Sequence, residues 1–222
     1  MTRAAVLIVA AGEGRRFGGA KQFAPLGGRP VLAWSVAAFA RHPRVGEIVL
    51  VLPPGRDAAP FLSLDPKVRA AVDGGPRRQD SVRNGFARLA ADGNGLVLVH
   101  DGVRPFVEAA LVDRVLDAAD AYGAAVPAVE IEDTVKEVLD GRVIRTLSRD
   151  GLVRVQTPQG FRYGILRDAL DLAARATDLP VTDEASLVER LGRTVVVVPG
   201  DPRNIKITRA EDLALAEALR HD

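Results

Sequence analysis

An apolar, β-branched run, Ala4 to Ala10, breaks directly into a glycine-rich loop at Gly12, Gly14, Gly18 and Gly19. Arg15, Arg16 and Lys21 sit in or just after that loop. No other stretch constrains the fold as much. The run has the length and residue types of a buried strand. The glycines let a backbone turn sharply and approach a ligand closely, with N–H groups turned inward. Cations beside such a turn complement a polyanion, and the simplest ligand for a strand ending in this way is a nucleoside triphosphate.

Two common owners of such a loop do not fit. A dinucleotide site wants G-x-G-x-x-G; counted from Gly12 the third glycine falls at Phe17. A Walker A loop wants Gly-Lys-Ser/Thr, whereas Lys21 lies between Ala20 and Gln22. An ordinary strand-to-helix turn decorated with surface arginines remains open on this loop alone.

The rest of the chain alternates apolar runs with helical patterns. Strands are expected near 4–10, 46–52, 68–72, 96–100, 124–129, 153–157 and 193–198, and helices near 31–41, 79–91, 108–121, 163–176, 184–191 and 209–220. Thr208 and Glu211 form a T-x-x-E capping box for the last helix. Such alternation predicts an α/β fold: a mainly parallel, twisted, Rossmann-like three-layer sheet with helices on both faces. With 222 residues and no linker or repeat, one domain over 1–222 is expected. Residues 130–149 break the alternation. Two short alternating runs flank Asp140-Gly141, a hairpin signal, so this segment is predicted to project as a β-hairpin arm. A lone hairpin is marginal in water, and a second subunit is the economical cover for it, making 130–149 a dimerisation arm; folding back onto its own domain is the other possibility.

Composition closes several routes. Without cysteine there is no disulfide, thiol nucleophile or cysteine-bound zinc. His42, His100 and His221 are scattered, without the spacing of a zinc site. A net charge of +1 selects no nucleic acid. The chain lacks a signal-peptide pattern and an apolar run long enough to span a bilayer; a cytoplasmic protein with no membrane partner is expected.

In open α/β sheets ligands bind at the carboxyl ends of the strands. Three loops fall there: Ala11–Lys21, Asp73–Ser81 and Asp101–Pro105. In the second, Gly74 and Gly75 allow close approach to a flat base, Asp80 or Ser81 can cap the next helix, and Arg77 and Arg78 read as solvated charges. In the third, Asp101 ends an apolar strand, where magnesium takes one or two carboxylates plus phosphate oxygens. Arg104 could hold a second anion with its planar fork; an aspartate shaping its own turn is the alternative. His100 reads as structural rather than as a base. Near the last strand, Asn204 offers a neutral oxygen and Lys206 a mobile ammonium to the same crevice.

Taken in order, these motifs resemble the 2-C-methyl-D-erythritol 4-phosphate cytidylyltransferases of the non-mevalonate isoprenoid pathway. The matching segments are Ala10-Ala11-Gly12-Glu13-Gly14-Arg15-Arg16 with Lys21-Gln22, Asp73-Gly74-Gly75 through Asp80-Ser81, and His100-Asp101 with Arg104-Pro105. They continue through Asp133-Thr134-Val135-Lys136, Thr157-Pro158-Gln159, Thr182-Asp183-Glu184-Ala185-Ser186 and Asn204-Ile205-Lys206-Ile207-Thr208. The resemblance implies a nucleotidyltransferase fold, a homodimer clasped by the arm, and CMP transfer from CTP to 2-C-methyl-D-erythritol 4-phosphate with release of pyrophosphate. Carried over by position, Ala10, Ala11, Gly12, Gly14, Arg16 and Lys21 would hold the triphosphate, and Gly75 and Ser81 would lie at the cytidine. Asp101 would bind magnesium, with Asn204 as a second ligand. Asp101, Arg104, Thr134, Arg149, Thr157 and Lys206 would meet the polyol phosphate, Thr134 and Arg149 being supplied by the partner's arm. Arg16, Lys21 and Lys206 would be catalytic. A ribitol-5-phosphate cytidylyltransferase, another sugar-phosphate nucleotidyltransferase and a non-catalytic nucleotide-binding module are the alternatives.

Overall fold

The structure, a computed structural model, describes residues 3–90, 95–175 and 181–220. The expected helix ends at 91 and 176, and His221, lie outside the described residues. The chain opens with β1 (Ala4–Val9), a 3-10 turn at Lys21–Phe23, the short ribbon β2 (Pro25–Leu26) and β3 (Arg29–Pro30), and α1 (Val31–Arg41). It continues through β4 (Val45–Leu52), α2 (Ala59–Leu62), β5 (Val68–Asp73), α3 (Arg78–Phe86), β6 (Leu96–Asp101), α4 (Ala109–Tyr122) and β7 (Ala124–Glu130). The hairpin β8 (Val135–Leu139) and β9 (Arg142–Leu147) follows, then β10 (Val153–Val155), β11 (Gln159–Arg162), α5 (Tyr163–Arg175), α6 (Glu184–Arg190), β12 (Val196–Pro199) and α7 (Glu211–Leu219).

The main sheet runs β10-β7-β11-β6-β1-β4-β5, with β12 also pairing β7. The pairs β1–β4, β1–β6, β4–β5 and β7–β12 are parallel; β10 and β11 run antiparallel to their neighbours. Ala128 pairs with both Val155 and Pro199, and Ala125 with both Gly160 and Val196, so β12 lies on the opposite edge of β7 from β10 and β11. Strand β11 lies outside the sequence expectation. Its four residues carry little apolar signal of their own, and the burial of Gln159, Gly160 and Phe161 comes from lying between β6 and β7.

Side chains alternate across β1 as strand geometry requires. Ala4, Val6, Ile8 and Ala10 join one buried cluster with Val36 and Phe39 of α1 and Leu111 and Val115 of α4. Leu7 joins a second cluster on the other face with Phe86 of α3, Phe161, Leu166 of α5 and Leu187 of α6. A third, small cluster gathers Leu26, Val31, Val103, Ile207 and Ala216, with Phe17, Trp34, Ile205 and Leu213 packed against it.

The arm forms as read: β8 and β9 pair antiparallel in a two-stranded sheet of their own. Both turn residues have positive φ, 49° at Asp140 and 75° at Gly141, the combination a two-residue primed turn demands. Val138, Leu139, Val143 and Ile144 are each more than half exposed. One helix start differs from expectation. Thr208 does not cap α7; instead Asp212 Oδ2 accepts the backbone N–H of Thr208 (2.7 Å) and Arg209 (2.8 Å).

Candidate active site

Parallel pairing delivers the chemistry-bearing loops to one edge. Val9 is in register with both Asp101 and Val51, and Leu52 with Asp73. The first, second and third loops therefore leave the sheet side by side. Gly74 sits so close to Ala11 that any added Cβ would collide with the Ala11 methyl, which locks the first two loops together.

The glycine loop closes largely on itself. The amides of Phe17, Gly18 and Gly19 all donate to Gly14 O (2.8, 3.1 and 3.3 Å), so these three N–H groups shape the turn. Gly14 has φ 67°, and a Cβ there would strike Gly19 O. Ala10 is buried at the end of β1, while Gly12 and Arg16 are exposed. Gln22, buried, braces the loop: its Nε2 donates to Ala10 O (2.7 Å) and Gly12 O (3.1 Å). In the second loop Gly75 N donates to Ser81 Oγ (3.0 Å). Asp80 caps α3 by accepting the N–H of Arg77 (3.3 Å).

Asp101 is the centre of charge. Its Oδ1 takes Arg78 Nη1 at 2.7 Å; its Oδ2 takes Lys206 Nζ at 2.9 Å and faces Arg104 Nε at 3.6 Å. Burial alone would raise this carboxyl, but Arg78, Lys206 and Arg104 outweigh it and hold it well below the usual carboxylate range. Lys21 is pulled down by its partial burial and by the charges of Lys206 and Arg16. Lys21 thus feels the charges of the two other cations that the resemblance marks as catalytic.

Arg104 is buried, with Nη1 donating to Asn204 O at 2.8 Å. Thr157 Oγ1 accepts the Asp101 N–H (3.0 Å) and lies 3.1 Å from His100 Nδ1. His100 Nε2 is 3.1 Å from Arg104 O. The consistent assignment has the Thr157 hydroxyl donating to Nδ1 and Nε2–H donating to the carbonyl. His100 is fully buried with its ring against Phe39. Burial lowers it to about 4 despite Asp101. Both ring nitrogens are engaged and the ring is neutral near pH 7, which suits the structural reading. Asn204 Nδ2 donates to Thr157 O (2.8 Å), while its buried Oδ1 has no hydrogen-bond partner.

Thr134 and Arg149 stand apart from this cluster. Both are exposed at the base of the arm, and the Arg149 guanidinium donates to Ile131 O (3.2 Å) and Glu132 O.

Two participants escaped the sequence reading. Arg78 is not a solvated charge: its Nη2 also binds Glu184 Oε2 at 3.0 Å. Glu184, the first residue of α6, is completely buried. Its neighbours are pinned by Gln159, which donates to Asp183 Oδ2 (2.7 Å) and accepts the Ala185 N–H (3.1 Å). A faint signal was present. An arginine in the first turn of a helix opposes the helix dipole, so Arg78 there needs an anion nearby.

A family model described as IspD, 2-C-methyl-D-erythritol 4-phosphate cytidylyltransferase, matches residues 4–221. The chain belongs to this family. It is 46% identical to the 2-C-methyl-D-erythritol 4-phosphate cytidylyltransferase of Syntrophotalea carbinolica, over 96% of this chain and 94% of that one. It is equally identical to the protein of that name from Geotalea uraniireducens, over 98% and 96%. The crystal structure of the Thermus thermophilus cytidylyltransferase superposes with a TM-score of 0.83 at 39% identity, covering 98% of both chains. The nucleotidyltransferase fold expected of the family is the fold found here.

Among the described residues no group of three or more histidine, aspartate or glutamate side chains is arranged to hold a metal. Asp101 offers hard carboxylate oxygens and Asn204 an unpartnered amide oxygen. Such a set fits magnesium only if phosphate and water complete the shell, which is how magnesium usually meets nucleotide enzymes.

Proposed function

We propose that this chain transfers CMP from CTP to 2-C-methyl-D-erythritol 4-phosphate, giving 4-diphosphocytidyl-2-C-methyl-D-erythritol and pyrophosphate. The reading rests above all on one observation: in a chain that the family model matches over residues 4–221, Lys206 Nζ pairs with Asp101 Oδ2 at 2.9 Å beyond the carboxyl end of β6, with Lys21 near enough to feel both charges.

A phosphate oxygen of the polyol phosphate attacks the α-phosphorus of CTP in line. The new P–O bond forms as the bond to the bridging oxygen breaks, and pyrophosphate departs with that electron pair. The attacking oxygen is already anionic near neutral pH, so no general base is needed, in keeping with the neutral, enclosed His100. The protein's contribution is positioning and charge neutralisation. Arg16 and Lys21 offset the triphosphate and the departing pyrophosphate. Lys206 leaves Asp101 Oδ2 to orient the α-phosphate. The loop at Ala10, Ala11, Gly12 and Gly14 cradles the phosphates, and Gly75 and Ser81 border the cytidine. Magnesium, held by Asp101 with Asn204 as second ligand, supplies Lewis-acid stabilisation of charge on the α-phosphate when bound.

Arg104, Thr157, Asp101 and Lys206 bound the polyol phosphate site, and Thr134 and Arg149 of the partner subunit complete it. The exposed apolar residues of the arm support a homodimer clasped through 130–149. CTP is a cytoplasmic metabolite, and we assign the enzyme to that compartment. Purified protein is assayed for magnesium-dependent pyrophosphate release from CTP with methylerythritol phosphate and, separately, ribitol 5-phosphate. Release with the first substrate is expected. Release with ribitol phosphate alone, or with neither, would overturn the assignment.

A further inference from the structure

The charged cluster extends one shell deeper than the proposed mechanism uses. Arg78 joins two carboxylates from distant parts of the chain, Asp101 at the end of β6 and Glu184 at the start of α6. One guanidinium nitrogen serves each, at 2.7 and 3.0 Å. Its side chain is 25% exposed, whereas that of Glu184 is 0% exposed. A carboxylate so enclosed cannot meet the polyol or the nucleotide, so its effect on chemistry must pass through Arg78. Gln159 fixes the backbone around Glu184 to β11, whose Gln159 lies in register with Val99 of β6. The anchor is therefore tied to the strand that carries Asp101.

The two oxygens of Asp101 are not equivalent. Oδ1 is taken by Arg78, a partly buried group with a second anchor. Oδ2 is taken by Lys206, a long and 41% exposed side chain, at 2.9 Å, with the buried Arg104 Nε further off at 3.6 Å. Of the three contacts on Asp101, only that of Lys206 can be exchanged without dismantling the buried network. We propose that Arg78, anchored by Glu184, is a positioning residue for the transfer: it fixes Asp101 through Oδ1 and leaves Oδ2 as the single oxygen that trades its lysine for the metal–nucleotide complex. This rests on the assignment of Asp101 to the metal and nucleotide. A lysine at position 78 would keep the positive charge but could not fork between two carboxylates, so charge and geometry can be separated.

Breaking a buried ion pair lowers stability whatever it does for chemistry, and a fall in Tm therefore decides nothing. The test is a double-mutant cycle of Arg78→Lys with Asp101→Asn, read in kcat, together with Mn2+ binding to the enzyme–CTP complex followed by EPR of the free ion. Groups that orient a metal ligand typically change affinity or activity by about 10–100-fold. A loss of that size is expected in kcat for folded Arg78→Lys, with Mn2+ binding weakened in parallel. The kcat loss should disappear in the Asp101→Asn background, because residues acting as a unit are non-additive. Where Arg78→Lys does not fold, Glu184→Gln, which removes the anchor's charge and keeps its shape, takes its place in the same cycle. Additive losses, or wild-type kcat and Mn2+ affinity in the folded variant, overturn the positioning role while leaving Asp101 in place. Wild-type kcat in Asp101→Asn itself removes the role of Asp101, and the positioning role with it.

Discussion

Lowering the pH should expose His100 as a stability switch. In the unfolded chain its imidazole takes a proton near the ordinary value of 6.5; in the folded protein burial holds it to about 4. Because the folded pKa is the lower one, the unfolded chain binds the proton first as pH falls. The stability contributed by neutral His100 is therefore complete above about pH 6.5, drains away towards about pH 4, and changes no further below it. Each unit of pKa difference is worth about 1.4 kcal/mol. Between pH 7 and about pH 4.5 the unfolded state gains roughly two units of proton affinity over the folded one, or about 2–3 kcal/mol. The measurement is urea unfolding at both pH values, in metal-free buffer, for wild type and His100→Asn. The asparagine keeps a donor and an acceptor but cannot titrate. Acid destabilises other groups in both proteins, so the informative quantity is the extra loss in wild type. Equal losses in the two proteins would show that the imidazole titrates alike in folded and unfolded states, and the reasoning from burial would fail.

Lys21→Ala should lower kcat by about 10²–10³, the cost of losing one preorganised donor; near-normal turnover in the folded variant, measured by pyrophosphate release, would remove its assigned role. Arg149→Ala and Lys21→Ala subunits, each inactive alone, should regain activity when mixed, since a hybrid dimer reconstitutes one intact site; no recovery would argue against sites shared between subunits. Replacing the exposed arm residues Val143 and Ile144 by aspartate should shift the protein towards monomer in sedimentation, and an unchanged dimer would place the interface elsewhere.

The order of elements was legible because each parallel strand is an apolar run long enough to announce itself. The hairpin was legible for a local reason: Asp140-Gly141 suits a turn with two positive φ angles. Strand β11 was not, since its partners on β6 and β7 are distant in sequence. Asp101 stood out as an acid ending a buried strand. Arg78 did not, because nothing within 20 residues shows what it binds; its partners are Asp101 and, 106 residues away, Glu184. The capping box at Thr208 and Glu211 gave way to Asp212, whose carboxylate, one position further on, takes the Thr208 N–H that Glu211 would have taken, and the Arg209 N–H as well. The glycine loop was legible as a turn, but not that the amides of Phe17, Gly18 and Gly19 are spent on Gly14 O, which only the fold of residues 14–19 sets.

The small cluster under α7 has a consequence for motion. It gathers Phe17 of the glycine loop and Ile205 and Ile207 of the Lys206 segment with Leu213 and Ala216 of α7. With far fewer buried side chains than either face of the sheet, this cluster has less to lose on opening. Local unfolding there costs less than global unfolding. In hydrogen exchange the glycine loop and the Lys206 segment should thus open as one cooperative unit with α7, so that the proposed triphosphate cradle and the lysine proposed to face the α-phosphate loosen and reset together.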